Sequence, residues 1–195
     1  MVYNKIKRIV SLLPVFVILA CFNEESSTQA ENDYFEIEDF SPADTLTKQT
    51  SYSTELGETF GFVNQKGDTI IPFGRFTHSF SDTIVTFGIV IEKNAEKQDL
   101  IGINQKGQRL YEIHWFDNGP DYPEEGLFRI KRNGKTGFAD LTGKIIIAPQ
   151  YDCAYPFSAG RAKVSYDCEL EKDPDHTEMK SDSWFYIDRD GKRVE

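Results

Sequence analysis

Side chains that usually bind metals or act as nucleophiles are scarce in this sequence. Its 195 residues include three histidines, three cysteines and two tryptophans. Basic residues are also few: 22 Lys and Arg stand against 32 Asp and Glu, and the net charge of −10 argues against non-specific binding to nucleic acid. A mean hydropathy of −0.48 excludes a polytopic membrane protein. The chain does have 13% aromatic residues, which predicts a packed domain, not a disordered chain.

The N-terminal segment has the pattern of a secretory signal. Three basic residues precede the apolar run Ile9–Ala20, whose 12 residues fall short of the roughly 20 that a transmembrane helix needs. The sequence Ile18-Leu19-Ala20-Cys21 resembles the lipobox of bacterial lipoproteins. That resemblance implies a signal peptide at residues 1–20 and a mature chain that begins with a lipidated Cys21. An ordinary signal peptide cleaved nearby and a short uncleaved anchor remain as alternatives.

The residues after the signal bear on location. Phe22 stands where an Asp would resemble an inner-membrane retention signal, and this favours the outer membrane. Without residues 1–20 the chain has 19 basic and 32 acidic residues, a net charge of −13 that anionic lipid headgroups would repel. Residues 21–53 are mostly polar and predict an acidic tether. Within it, Tyr34–Phe40 alternates apolar and acidic residues and could be a strand.

An internal repeat organises residues 54–195, the predicted β domain. Four segments each combine a short apolar strand, an Asn or Asp, two variable residues and a glycine, and the glycines are 40, 36 and 48 residues apart. The Asn or Asp can accept a local backbone hydrogen bond, and the glycine can adopt the left-handed conformation that closes a turn. These turn residues are Asn64 and Gly67, Asn104 and Gly107, Asp140 and Gly143, and Asp188 and Gly191.

Other patterns in this part also indicate strands. Asn133-Gly134 predicts a tight hairpin that pairs Arg129 with Phe138. Phe80–Val85 is expected to form an apolar strand, and the polar insertion Glu169–Ser183 an exposed excursion. No sustained 3.6-residue period follows the signal, so the predicted fold class is all-β.

Together these features resemble the WG-repeat family. The best copy contains Gly137-Phe138, the turn that follows it and Pro156-Phe157-Ser158, and the resemblance covers residues 59–195. No copy keeps an intact Trp-Gly pair, so the repeats are degenerate. The resemblance implies about three and a half β-hairpin units in an open array or a propeller-like curved sheet. The last unit has no second half before Glu195, and we expect Tyr34–Phe40 or Tyr52–Glu58 to pair with its edge.

No cofactor or metal site is predicted. Gly134-Lys135-Thr136 resembles the end of a phosphate-binding loop, but Arg129 stands where an earlier glycine is required. The loop Asp117–Glu125 has several oxygen ligands without the spacing of a calcium-binding EF-hand. A second polar loop has a weak set of possible ligands for a divalent ion: Asp173, Asp175, His176 and Glu178.

Two cysteines and a group of aromatic residues remain as candidates. Cys153 and Cys168 flank the turn near residues 158–160, and they could form a disulfide or stay as buried free thiols. A ligand could stack on aromatic residues in loops or at strand ends, although most such residues would be core. The candidates are Phe73, Phe76, Trp115, Phe116, Tyr122, Tyr151 and Tyr155.

The sequence therefore predicts a lipid-anchored binding or scaffolding module of the bacterial cell envelope, without catalytic activity. The family resemblance offers no catalytic residues to carry over. The expected partner is an unidentified protein or glycan of the envelope, with no nucleic acid and with the membrane contacted only through the lipid anchor. The alternatives are an envelope hydrolase that uses acidic loop residues and an accessory subunit of an envelope complex.

Overall fold

The computed structural model describes residues 34–37, 45–55, 57–94, 97–116, 118–172 and 177–195, and the predicted all-β class is confirmed. No helix in these ranges is long and apolar enough to span a membrane. In chain order the strands are β1 Leu46–Ser53, β2 Gly57–Val63, β3 Thr69–Ile71, β4 His78–Ser79, β5 Thr83–Ile84, β6 Gly88–Lys93, β7 Gln98–Ile103, β8 Arg109–Ile113, β9 Trp115–Phe116, β10 Gly119–Pro120, β11 Leu127–Arg132, β12 Lys135–Asp140, β13 Ile145–Tyr151, β14 Cys153–Ala154, β15 Ala162–Ser165, β16 Glu169–Lys172, β17 Thr177–Lys180, β18 Phe185–Ile187 and β19 Arg193–Val194.

These strands pair in antiparallel fashion in several sheets. The largest has seven strands in the order β13-β12-β11-β8-β7-β6-β4. The N-terminal sheet has the order β3-β2-β1-β5, and the C-terminal sheet has the order β14-β15-β18-β19. Two small pairs, β9 with β10 and β16 with β17, complete the arrangement. None of the sheets formed by the described strands closes on itself.

The four repeated turns share one set of hydrogen bonds. In the first, the side-chain oxygen of Asn64 accepts from the N–H groups of Lys66 and Asp68, both at 2.9 Å. The N–H of Gly67 donates to the main-chain oxygen of Asn64 (3.0 Å). Each closing glycine has a φ between +73° and +87°, which is why the position needs glycine. The same bonds recur at Asn104, Asp140 and Asp188.

Contacts between consecutive units repeat as well. The residue four positions after each turn glycine contacts the turn glycine of the next unit. The three pairs are Ile71 with Gly107, Tyr111 with Gly143, and Ile147 with Gly191. In the two isoleucine pairs, a side-chain carbon lies 3.3 or 3.4 Å from where a Cβ of the glycine would be. In the tyrosine pair, the hydroxyl donates to the main-chain oxygen of the glycine (2.8 Å).

Three buried clusters hold the sheets together. One joins the N-terminal sheet to β6 and β7 and includes Leu46 and Ile84. A second lies on the seven-stranded sheet and includes Tyr111 and Ile130. The third joins β12 and β13 to the C-terminal sheet and includes Phe138. Each cluster draws residues from neighbouring units, as expected when one hairpin cannot bury its apolar face alone.

The folded part begins before the predicted boundary at residue 54. Leu46–Ser53, assigned to the tether from its polar composition, forms β1 and pairs with β2 from Thr47↔Val63 to Ser53↔Gly57. It also pairs with β5 on its other edge. Only Leu46 of this strand is buried. The strand can be polar because backbone hydrogen bonds hold it in the sheet. Those bonds do not depend on side-chain polarity, so amino-acid composition does not reveal them.

Neither N-terminal candidate pairs with the C-terminal strands in the described ranges. Tyr52 pairs with Glu58 in the hairpin of β1 and β2. Tyr34–Ile37 lies instead near β8 and β11: the N–H of Phe35 donates to the main-chain oxygen of Arg109 (2.8 Å). The guanidinium of Arg132 donates to the main-chain oxygen of Phe35 (2.9 Å) and to Glu36 (2.5 Å). Residues 38–40 lie outside the described part.

The remaining strand predictions have mixed outcomes. Arg129 pairs with Phe138 across the Asn133-Gly134 turn, as predicted. Residues 80–85 do not form a continuous strand, since only Thr83–Ile84 pairs there and the long strand is β6. The polar insertion forms the small hairpin of β16 and β17.

Candidate functional site: an apolar groove

A groove of about 470 Å³ lies beside β6, β10 and β11. One wall comes from the chain between β4 and β6, and the opposite wall from residues 118–123. The turn between β12 and β13 contributes Leu141. The principal apolar side chains of the lining are Phe80, Phe87, Ile89, Tyr122, Phe128 and Leu141.

Aromatic packing supports the groove while leaving much of its rim exposed. The rings of Phe87 and Phe128 are stacked, with centres 5.9 Å apart and planes 13° from parallel. Tyr122 is 62% exposed, and Leu141, in its turn, is 63% exposed. Phe80 is 40% exposed although it neighbours these groups. An exposed cluster of large apolar side chains around a recess is typical of an interaction site.

A buried ion pair positions the wall formed by residues 118–123. The two carboxylate oxygens of Asp121 accept from Arg129: Nη2 donates to Oδ1 (2.5 Å), while Nε and the main-chain N–H donate to Oδ2 (both 2.9 Å). Nη1 of Arg129 also donates to the main-chain oxygen of Ala154 (3.2 Å). The side chains of Asp121 and Arg129 are only 2% and 10% exposed. One arginine on β11 thus links the groove wall to β14.

This pairing changes the interpretation of the loop Asp117–Glu125 as a set of oxygen ligands. Asp121 is committed to Arg129, and Glu125 accepts from the N–H of Gly160 (3.1 Å). Asp117 lies outside the described residues. Within the described ranges, no three His, Cys, Asp or Glu side chains are close enough together to hold a metal ion. Of the charged residues that the structure describes, Asp121 alone lines the groove.

His114 lies next to the same wall. Its main-chain oxygen accepts from the N–H of Asp121 (2.9 Å), and its Nε2 lies 3.3 Å from Oγ1 of Thr136. Burial, with smaller contributions from the charges of Lys131 and Arg129, lowers the pKa of His114 to about 3. The imidazole is therefore neutral at physiological pH, and its role here is to support the wall. His78 packs against Phe80 with ring centres 4.8 Å apart.

The other sequence candidates lie away from any common centre. Lys135 of the phosphate-loop-like segment forms an ion pair with Asp152 (2.6 Å), and Thr136 is buried. Glu178 lies in β17, but the other three possible metal ligands of its loop lie outside the described ranges, as does Cys21. Cys153 and Cys168 are joined by a disulfide with Cα atoms 5.8 Å apart. It links β14 to the residue before the β16–β17 hairpin.

Most of the aromatic candidates are exposed, although most were expected to be core: Phe73, Trp115, Phe116, Tyr122 and Tyr155 are each at least 37% exposed. Phe76 and Tyr151 are 3% and 1% exposed and belong to the core. Tyr122 alone among the sequence candidates lines the groove. Sequence reasoning missed Phe80 and Leu141, because an aromatic inside a predicted strand and a leucine inside a turn give no signal that they share a recess.

One comparison with known proteins gives a match. Residues 137–167 match the family model described as the WG containing repeat. The match begins at Gly137, where a Cβ would lie 2.6 Å from the main-chain nitrogen of Pro149, so glycine allows β13 to approach at the irregularity in its pairing with β12. No curated protein and no solved structure matches the chain.

Proposed function

We propose that this chain, which carries a WG containing repeat, is a non-catalytic binding module held at the outer membrane by lipid on Cys21. The observation that carries the binding role is the apolar groove of about 470 Å³ with its exposed rim. Its occupant is an apolar segment of an envelope protein. Covering Leu141, Tyr122 and Phe80 removes apolar surface from water, at roughly 25 cal/mol for each Å².

The groove supports binding more than hydrolysis. A glycoside hydrolase needs two carboxylates, one of them free to donate or accept a proton. The groove has the carboxylate of Asp121, and Arg129 donates to both of its oxygens. A support for the wall is therefore the role that fits this carboxylate.

A neutral apolar dye, N-phenyl-1-naphthylamine, tests the groove directly. We expect saturable fluorescence enhancement by the wild type and at least fivefold weaker binding by Leu141→Asp, because a carboxylate at the rim opposes apolar contact. Leu170→Asp is the matched control, since Leu170 is 52% exposed on the β16–β17 hairpin and does not line the groove. Equal binding by all three proteins would show that the groove is not the site.

Fractionation of cells tests the anchor separately. The wild type should sediment with outer membranes, and Cys21→Ala should lose that association because no thiol remains to carry lipid. Metabolic labelling with a radioactive fatty acid should mark the wild type alone. Unchanged sedimentation of Cys21→Ala would remove the lipid anchor from the proposal and leave the dye experiment unaffected.

A further inference from the structure

The C-terminal sheet has one face in the core and a second face that carries aromatic and cationic side chains. Ala162, Val164 and Ile187 are fully buried in the cluster that joins this sheet to β12 and β13. Side chains alternate along a strand, so their neighbours project from the opposite side. We call this opposite side the cation–aromatic face, and it consists of Tyr155, Arg161, Lys163, Trp184 and Tyr186.

Aromatic rings hold the two cations of this face. Lys163 is opposite Tyr186 in the pairing of β15 with β18. Its Nζ lies 4.8 Å from the ring centre of Trp184 and 5.6 Å from that of Tyr155. The guanidinium carbon of Arg161 lies 4.6 Å from the ring centre of Tyr186. These distances are within the range of cation–π attraction.

This face has two cations and no acidic side chain among its five residues, although the chain is acidic. Among the described residues, neither Lys163 nor Arg161 forms an ion pair with an Asp or Glu side chain; Arg161 donates to the main-chain oxygen of Glu195 (3.4 Å). Strands β14, β15, β18 and β19 contain no acidic residue. Several other cations are paired with acids, as Arg129 is with Asp121. The N–H groups of the Lys163 ammonium can therefore donate hydrogen bonds to an anion from outside the chain.

We propose that the cation–aromatic face binds an oligosaccharide whose sugars carry carboxylates. Lys163 and Arg161 donate charge-assisted hydrogen bonds to the carboxylates, while C–H groups of the sugar rings contact the parts of Trp184 and Tyr186 that the two cations leave uncovered. Physiological salt screens electrostatic interactions over about 8 Å. The acidic residues in the rest of the chain therefore repel a short anionic ligand at this face only weakly. Nucleic acid is disfavoured by its higher charge density and the net charge of −10.

This site is additional to the groove, since none of its five residues lines that recess. The experiment uses the full-length chain in a polyoxyethylene detergent, which carries no sugar. Trp115→Phe leaves Trp184 as the sole tryptophan, and its fluorescence reports binding. The probes are the galacturonic acid trimer and the neutral galactose trimer, which differ in the carboxylate. An oligothymidine tests the nucleic-acid alternative.

We expect saturable change in Trp184 fluorescence with the acidic trimer, weakened at least fivefold by Lys163→Gln or by 0.5 M NaCl. Lys66→Gln is the matched control, because Lys66 is an exposed lysine in the first repeated turn. Thermal unfolding of each variant verifies that it is folded. Binding of the neutral trimer with equal affinity, tighter binding of oligothymidine, no binding of the acidic trimer, or insensitivity to Lys163→Gln would each overturn the proposal.

Discussion

His114, which supports the groove wall, makes the stability of the folded chain depend on pH. Its folded pKa of about 3 is set first by burial and then by the positive charges of Lys131 and Arg129, whereas an unfolded histidine has a pKa of about 6.5. Between these values the unfolded chain binds a proton that the folded chain does not. The contribution to stability is therefore complete above pH 6.5 and decreases as the pH falls towards 3.

We expect the free energy of unfolding to decrease between pH 7.5 and pH 5 by up to about 2 kcal/mol through this residue. Urea unfolding of the wild type and of His114→Gln measures it, and the variant should show the shallower pH dependence. His78→Gln, at an exposed histidine, is the control and should behave like the wild type. The same pH dependence in both variants would contradict the assignment to His114.

Among the elements, one contact recurs between consecutive units: a side chain of one unit packs against the turn glycine of the next unit. Gly67 and Gly143 occupy the same place in their turns, with φ of +87° and +86°. A Cβ at Gly67 would meet nothing within 4 Å, whereas one at Gly143 would lie 2.6 Å from Cδ1 of Phe87. Phe87 is stacked on Phe128 and lines the groove. Phe87 therefore lies against a turn glycine and also lines the groove.

Replacing each of these glycines by alanine separates conformational strain from crowding. Gly67→Ala should lower the free energy of unfolding by about 1–2 kcal/mol, because alanine is strained at positive φ. Gly143→Ala should lower it by about 1–3 kcal/mol more, because Phe87 must move. It should also weaken dye binding in the groove. Urea unfolding provides the comparison, and equal losses for the two variants would mean that Phe87 moves without resistance.

For the whole molecule, β1 completes the N-terminal sheet. It lies between β2 and β5, and Leu46, its first residue, is 2% exposed in a cluster with Phe62 and Ile84. Removing β1 would expose those side chains and leave both β2 and β5 without a backbone partner on that edge. The short segment Tyr34–Ile37 has two exposed residues and two half-buried ones and adds no strand to a sheet, so we expect it to contribute less.

A chain that begins at residue 54 should therefore melt at least roughly 10 °C below a chain that begins at residue 45, given a loss of several kcal/mol. Calorimetry of both chains beside the full-length protein provides the measurement. The chain from residue 45 should differ from the full-length protein by only a few degrees. Similar melting temperatures for the chains from 45 and 54 would show that β1 is dispensable.

The all-β class, the four turns and the hairpin at Asn133-Gly134 could be predicted from the sequence. These features depend on local chemistry: an Asn or Asp side chain accepts from its own turn, and glycine permits positive φ. Residues within a few positions of each other decide such bonds, so a pattern of spacing is sufficient to predict them.

Which residues meet across units depends on the tertiary structure. It placed the polar strand β1 inside a sheet, because the backbone pairs regardless of side-chain composition. It buried Phe76 and Tyr151, exposed Phe80, paired Asp121 with Arg129 and joined Cys153 to Cys168. The groove and the cation–aromatic face both arise in this way, because each combines side chains from distant strands whose proximity depends on how one unit packs against the next.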